Sequence, residues 1–255
     1  MVIKIHKDGL LLYKSDILRI PHAMFARHGG DSIAPYSSLN CSYGVGDNVS
    51  TVRDNRRRMK KALGIQVIKG ITQVHGNSIL RVDSIDQATE STKNDAMITN
   101  SPGIGLLIQQ ADCQAVLLHD PVKHVIAAIH NGWRGSVTNI IKKTIDRMQQ
   151  DFAVQASDIL AVISPSLGLC CAEFLQYQQE LPSDFYPFKS ANNHFDFRAI
   201  SKHQLKQSGI MEKNIEIAGT CTACSNNFFS YRRATKRGTG TTGRNGSIIV
   251  LPGDQ

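Results

Sequence analysis

Three short stretches of this chain set reactive side chains beside small residues: Gln73-Val74-His75-Gly76, Ala111-Asp112-Cys113 and His130-Asn131-Gly132-Trp133-Arg134-Gly135. In each, an imidazole or a thiol ends what reads as a strand, and strand ends are where sites form in α/β folds. One thiolate and two imidazoles make a three-ligand set with an open fourth position, the arrangement in which zinc activates water or a substrate oxygen. Cys113 and His130 would serve equally as nucleophile and base of a cysteine hydrolase, since a thiolate beside an imidazole is the minimal activated pair. Spacing leaves both readings open, beside the plainer one in which each residue only packs the core.

Arg134 follows the chain's single tryptophan at a strand-to-helix turn, where a guanidinium and the amides of a helix N-terminus would both favour an anion. It is the first candidate for a phosphate or carboxylate contact. The other arginine clusters, Arg53, Arg56, Arg57 and Arg58 and then Arg232, Arg233, Arg237 and Arg244, read as solvated surface. Cys221-Thr222-Ala223-Cys224 is the one CxxC, and it lacks the second paired motif of a zinc ribbon. The vicinal Cys170-Cys171 would complete four thiolates; packing against the core is the alternative.

These residues need elements to hold them. Short apolar runs at 104–108, 115–118, 125–129, 159–163 and 248–251 read as buried strands. Val137, Ile140, Ile141, Ile145 and Met148 recur at helical spacing and predict a helix starting near Ser136, hence a strand-helix-strand unit. Further helices are expected from about Ser50 to Leu63, stopped by Gly64, and from an Asp196 N-cap to Ser208, stopped by Gly209. Stretches 83–94 and 234–246 read as loops. The alternation implies an α/β or α+β fold with a mixed sheet, in one domain over residues 1–255.

The 255 residues, 41% hydrophobic and 20% charged, suffice for a sizeable core and exclude disordered and fibrous classes. No apolar run approaches the roughly 18 to 20 residues of a membrane helix, so no membrane partner and a cytoplasmic location are expected. The net charge of +8 favours an anionic partner, but the basic residues lie in no recognisable nucleic-acid-binding motif. The six cysteines form no evenly spaced framework and read as reduced thiols, one or more of them metal ligands.

The three stretches, with Pro35-Tyr36-Ser37-Ser38-Leu39-Asn40, Val45-Gly46-Asp47, Asn55-Arg56, Asp120-Pro121, Phe228-Phe229-Ser230-Tyr231-Arg232-Arg233 and Thr242-Gly243-Arg244, resemble the YfiH/YlmD family. It is also called the laccase-domain or multicopper polyphenol oxidase family, and the resemblance runs from about Phe25 to Leu251. It implies a layered α-β-β-α domain with mixed sheets, similar to the catalytic domain of cytotoxic necrotising factor toxins. It implies metal ligands at His75, Cys113 and His130, and substrate contacts at Asn40, Gln73 and Arg134. The implied activity is zinc-dependent phosphorolysis of adenosine, inosine and methylthioadenosine, with adenosine deamination, so purine nucleosides and phosphate are the expected partners.

Catalytic roles then fall to Cys113, His130, Arg134 and Asp112, the last either protonating a leaving nitrogen or acting as an orienting group or helix cap. The family's older oxidase label implies copper as the alternative metal. A full multicopper oxidase requires about ten histidines, many in His-x-His pairs, whereas this chain has nine and no such pair. A single copper on the same three ligands is what remains of that reading. The sequence departs from the family pattern at Asn131, Ser164 and Ala172, and the last two point to substrate preference as the property that varies.

Overall fold

Two six-stranded sheets stacked face to face form the frame in the computed structural model, which describes residues 2–253. The first contains β1 (Val2–Lys7), β2 (Leu10–Ser15), β3 (His22–Phe25), β4 (Val67–Lys69), β7 (Ile104–Gln110) and β12 (Asn245–Val250). Its spatial order is β1-β2-β3-β12-β7-β4, antiparallel except for the β4–β7 pair. The second contains β5 (Ile79–Arg81), β6 (Ala96–Thr99), β8 (Gln114–Asp120), β9 (Val125–Asn131), β10 (Leu160–Ile163) and β11 (Ile215–Ile217), in the order β11-β10-β8-β9-β6-β5. All five expected strands are present, as β7, β8, β9, β10 and β12.

Both faces of these strands are apolar because both are covered, which is why they read as unbroken hydrophobic runs. Leu106 and Ile108 of β7 meet Ala115 and Leu117 of β8 in the layer between the sheets. Val116 and Leu118 turn outward against the helices α3 (Ile140–Phe152) and α5 (Phe197–Gln207). On the far side, Leu107 and Ile248 pack under α1 (Val49–Leu63), through Met59 and Ala62. The layering is therefore α-β-β-α, as the resemblance implied. Short helices α2 (Trp133–Val137), α4 (Tyr177–Glu180) and α6 (Tyr231–Lys236) complete the set.

Local signals were obeyed in two helices and overridden in one. The Asp196 carboxylate caps α5 by accepting from the Arg198 and Ala199 N–H groups, and Gly64 ends α1 at φ 71°. The helix expected from Ser136 is instead two. Asn139 takes a left-handed conformation at φ 51° and caps a fresh start at Ile140, while Val137 stays in α2 with its side chain exposed. Hydrophobic spacing cannot register such a break, because Val137 fits the period of Ile140, Ile141 and Ile145 although it faces solvent. The stretch 234–246 is likewise not all loop, since α6 covers its first residues and β12 its last.

His119 shares the face of Leu117 on β8 and so points into the layer between the sheets, where its Nδ1 has no hydrogen-bond partner among the described residues. Burial, with the nearby His124 and His22, outweighs Asp120 and lowers its pKa to about 4. An imidazole kept neutral by the fold stabilises it above the unfolded pKa near 6.5, and that stability is lost as pH falls toward the folded value. Urea unfolding should therefore show a loss of about 1–2 kcal/mol between pH ~7 and pH ~5, reduced by about that amount in His119→Leu.

Candidate metal centre

The centre is built around Asp95, a fully buried carboxylate immediately before β6. Its Oδ1 accepts from the His75 N–H at 2.9 Å and faces His130 Nδ1 at 2.8 Å. Its Oδ2 accepts from the Gly76 N–H at 2.7 Å and the Val74 N–H at 3.3 Å. Three consecutive backbone donors thus wrap one carboxylate, and the turn that allows it holds His75 at φ 58°. His75 therefore lies in a loop after β4 and not at the end of a strand, which corrects the expectation for the first stretch. His130 ends β9 as expected, and its own N–H donates to the Asp95 carbonyl at 2.7 Å.

Cys113 stands in the three-residue connection Ala111-Asp112-Cys113 between β7 and β8, where the chain passes from one sheet to the other. One ligand atom each from His75, Cys113 and His130 lies within 4.8 Å of the others, and Cys113 Sγ is 3.8 Å from His75 Nε2. Ligands at ~2.3 Å (sulfur) and ~2.0 Å (nitrogen) in a tetrahedral set would stand about 3.5 Å apart, so the donors are spaced for one shared ion. With Nδ1 committed to Asp95, His130 turns Nε2 toward that ion. A Cβ on Gly132 would sit 3.1 Å from both Cys113 Sγ and His75 Cδ2, so a glycine keeps the cradle open. Two imidazoles and a thiolate suit zinc, and copper also uses them.

Burial alone would push the Cys113 thiol up, but the charge and hydrogen bond of His130, with those of His75, outweigh it and bring it down to about 6. His130 moves the other way: burial lowers it, and the Cys113 thiolate and the Asp95 carboxylate more than reverse that. The thiolate, the form that binds metal, is thus the resting form near neutral pH.

The three ligands line a pocket of about 1030 Å³. Arg134 reaches it with its guanidinium 4.2 Å above the Trp133 ring. The helix that Arg134 was expected to open is the five-residue α2, so the anion contact falls to the guanidinium alone. Gln73 is also in the wall, but its amide is paired with the backbone of Gln109, Nε2 to O at 2.7 Å and Oε1 from N at 2.8 Å. Asn40 is fully buried away from the pocket; its Oδ1 accepts from the Ser42 and Arg244 N–H groups and its Nδ2 donates to Asp47. Both amides hold loops, and Gln73 does so from within the pocket wall.

The Asp112 carboxylate accepts from Thr222 Oγ1 at 2.6 Å and from the Arg232 N–H at 2.6 Å, the orienting alternative of its two expected roles. Ser164 and Ala172 are fully buried and do not line this pocket. Asn131 is absorbed by Ser201, to whose Oγ its Nδ2 donates at 3.0 Å. Two arginines read as surface are structural: Arg56 is buried, pairs with Glu90 and lies over Tyr43, and Arg233 donates to four backbone carbonyls. Asp95 itself went unnoticed in the sequence, where only an acidic residue at the edge of an apolar run marks it.

The chain matches the family described as multi-copper polyphenol oxidoreductase laccase over residues 21–252. It is 31% identical to a purine nucleoside phosphorylase of Deinococcus radiodurans, over 96% of this chain and 94% of that one. It is 32% identical to one of Clostridium acetobutylicum, over 92% and 99%. Among solved structures it is similar to YlmD from Geobacillus stearothermophilus, with a TM-score of 0.85 at 26% identity over 99% of this chain and 100% of that chain. A Bacillus licheniformis hypothetical protein, YfiH, gives 0.86 at 26% identity over 96% and 97%. No helix among the described residues is long and apolar enough to cross a membrane.

Asp95→Asn keeps the shape of the carboxylate but removes its charge and turns one acceptor oxygen into a donor, so it should weaken metal binding by about 10- to 100-fold. Competition against a chromophoric chelator measures this. Asp95→Ala, which strands buried donors, should in addition cost at least about 2 kcal/mol in urea unfolding.

Proposed function

The chain belongs to the multi-copper polyphenol oxidoreductase laccase family, and from that premise we propose that it is a zinc-dependent purine nucleoside phosphorylase with an additional adenosine deaminase activity. Its substrates in this reading are adenosine, inosine and methylthioadenosine. The observation that carries it is one pocket in which the His75, Cys113 and His130 donors share walls with aromatic faces and positively charged side chains. Trp133, Phe174 and Tyr231 offer surfaces for a purine, and Arg134, Arg232, Lys236 and Arg244 offer cations for phosphate.

In phosphorolysis a phosphate oxygen attacks C1′ of the sugar, the C1′–N9 bond breaks, and its electron pair leaves with the base, which takes up a proton. The chain's part is to hold the phosphate against C1′ and to balance its charge. Stacking on Trp133, which fixes the plane of its donors, supports Arg134 in this role. Held by His75, Cys113 and His130, zinc supplies Lewis acidity at the open side of the set. In deamination water adds at the purine C6 and ammonia leaves, so no phosphate contact is needed.

Among the described residues no histidine-rich group stands that would hold a copper cluster, so a single copper on the same three ligands is the alternative to zinc. One observation keeps the cysteine-hydrolase reading as the second: Asp95, His130 and Cys113 stand in the order of an acid-base-nucleophile triad. His75, aimed at the same thiolate, has no part in such a triad and a clear part in a metal set.

Zinc-loaded protein with phosphate should release free base from at least one of the three nucleosides, resolved by chromatography, and without phosphate should convert adenosine to inosine. Chelation should abolish both; turnover that survives chelation but not thiol alkylation would establish the hydrolase instead. Arg134→Ala should lower kcat/KM for phosphate by about 10- to 100-fold, as for the loss of a charge-assisted contact, and deamination by less. No base release from any of the three would overturn the proposal.

A further inference from the structure

Four thiols outside the His75–Cys113–His130 set converge from two loops. Cys170 and Cys171 lie in the turn after β10, and Cys221 and Cys224 in the turn after β11. Their sulfurs all lie within 4.8 Å of one another, and Cys224 Sγ is 3.5 Å from both Cys170 Sγ and Cys171 Sγ. Four sulfurs around one zinc at ~2.3 Å stand about 3.8 Å apart, so the cluster already has the dimensions of a tetrathiolate site. All four are free thiols, and Cys224 Sγ stands 3.5 Å from its neighbours, well beyond the ~2.05 Å of a disulfide bond.

Most of the bonds that set the backbone around the cluster do not involve the thiols. Ser166 and Cys221 form a parallel bridge, with the Thr222 N–H donating to the Ser166 carbonyl at 3.0 Å. The Arg198 guanidinium ties the same loops, donating to the carbonyls of Ser166 at 2.6 Å and Thr220 at 2.7 Å. Arg233 does so from the other side, through the carbonyls of Thr222 at 2.8 Å and Ser225 at 2.9 Å. The Gly168 N–H donates to Cys221 Sγ at 3.3 Å, and a Cβ there would crowd Cys221 at 3.0 Å and Cys170 Sγ at 3.4 Å.

A divalent ion with four thiolates carries two net negative charges. Arg198 and Arg233 stand within electrostatic reach of the sulfurs and oppose them.

We propose that Cys170, Cys171, Cys221 and Cys224 bind a second zinc ion as four thiolates. The thiol protons pass to solvent as the ion binds, and no electron is transferred. With four protein ligands the site has no open position, so its role is structural. It fixes Thr222, which stands between two of the ligands and holds the Asp112 carboxylate beside Cys113. The inference is independent of the reaction assigned to the pocket.

Full-length protein, reduced, loaded with zinc and dialysed into metal-free buffer, should retain about two zinc ions per chain by elemental analysis. Cys224→Ser should bring this to about one, and Cys113→Ser should leave about one, now in an all-sulfur shell by X-ray absorption. Should Cys224→Ser fail to fold, alkylation of the wild type followed by mass spectrometry gives the same answer: bound zinc should protect the four cysteines, and chelation should expose them. A single zinc lost in Cys224→Ser and kept in Cys113→Ser would support this site while overturning zinc in the pocket. A zinc content that falls to none in Cys113→Ser, no protection of the four by zinc, or a disulfide among them in zinc-loaded protein would overturn it.

Discussion

A buried carboxylate with no partner would not stay ionised, and Asp95 meets that constraint by drawing its surroundings onto itself. Its bonds to three successive backbone donors and to the His130 ring outweigh the burial that would raise its pKa, and hold it lowered. The same bonds set the turn that presents His75 and the tautomer that His130 offers. Two of the three donors are therefore placed by one group that never touches the ion. At about 1.5–3 kcal/mol for each hydrogen bond to a charge, this exceeds the cost of the left-handed turn at His75.

The third donor is placed by topology. The chain leaves one sheet after Gln110 and joins the other at Gln114, and Cys113 lies in that passage, at the seam of the sandwich. Its neighbour Asp112 reaches across to Thr222 and to the backbone of α6, so the passage is anchored at a distance in sequence of more than a hundred residues. Stacked sheets give the site its rigidity, and the loops at their seam give it its chemistry.

What could be read in the sequence follows the range of the interactions involved. The strands were legible because burial on both faces leaves a continuous apolar run, and the helices α1 and α5 because Gly64 and Asp196 act on their own neighbours. The three donors were legible as reactive side chains beside small residues, and by resemblance. Asp95 was not, because its partners at Gly76 and His130 lie 19 and 35 residues away and leave no spacing rule. The loop-holding bonds of Asn40 and Gln73, which the resemblance implied as substrate contacts, were equally hidden: a polar side chain holding a loop and one holding a ligand look alike until their partners are seen. Arg56 and Arg233 show the same limit, since charge in a sequence does not reveal whether carbonyls wait for it.

The two sides of the pocket have separate origins. The donors ride on the strands of the two sheets and the loops that join them, whereas Leu167, Phe174, Phe197 and Tyr231 come from later turns and helices. Evolution can therefore exchange the second wall piece by piece while the first stays under the constraint of Asp95. Such a division makes the fold a chassis: one reactive centre that descendants could readdress to differently shaped molecules without reinventing it.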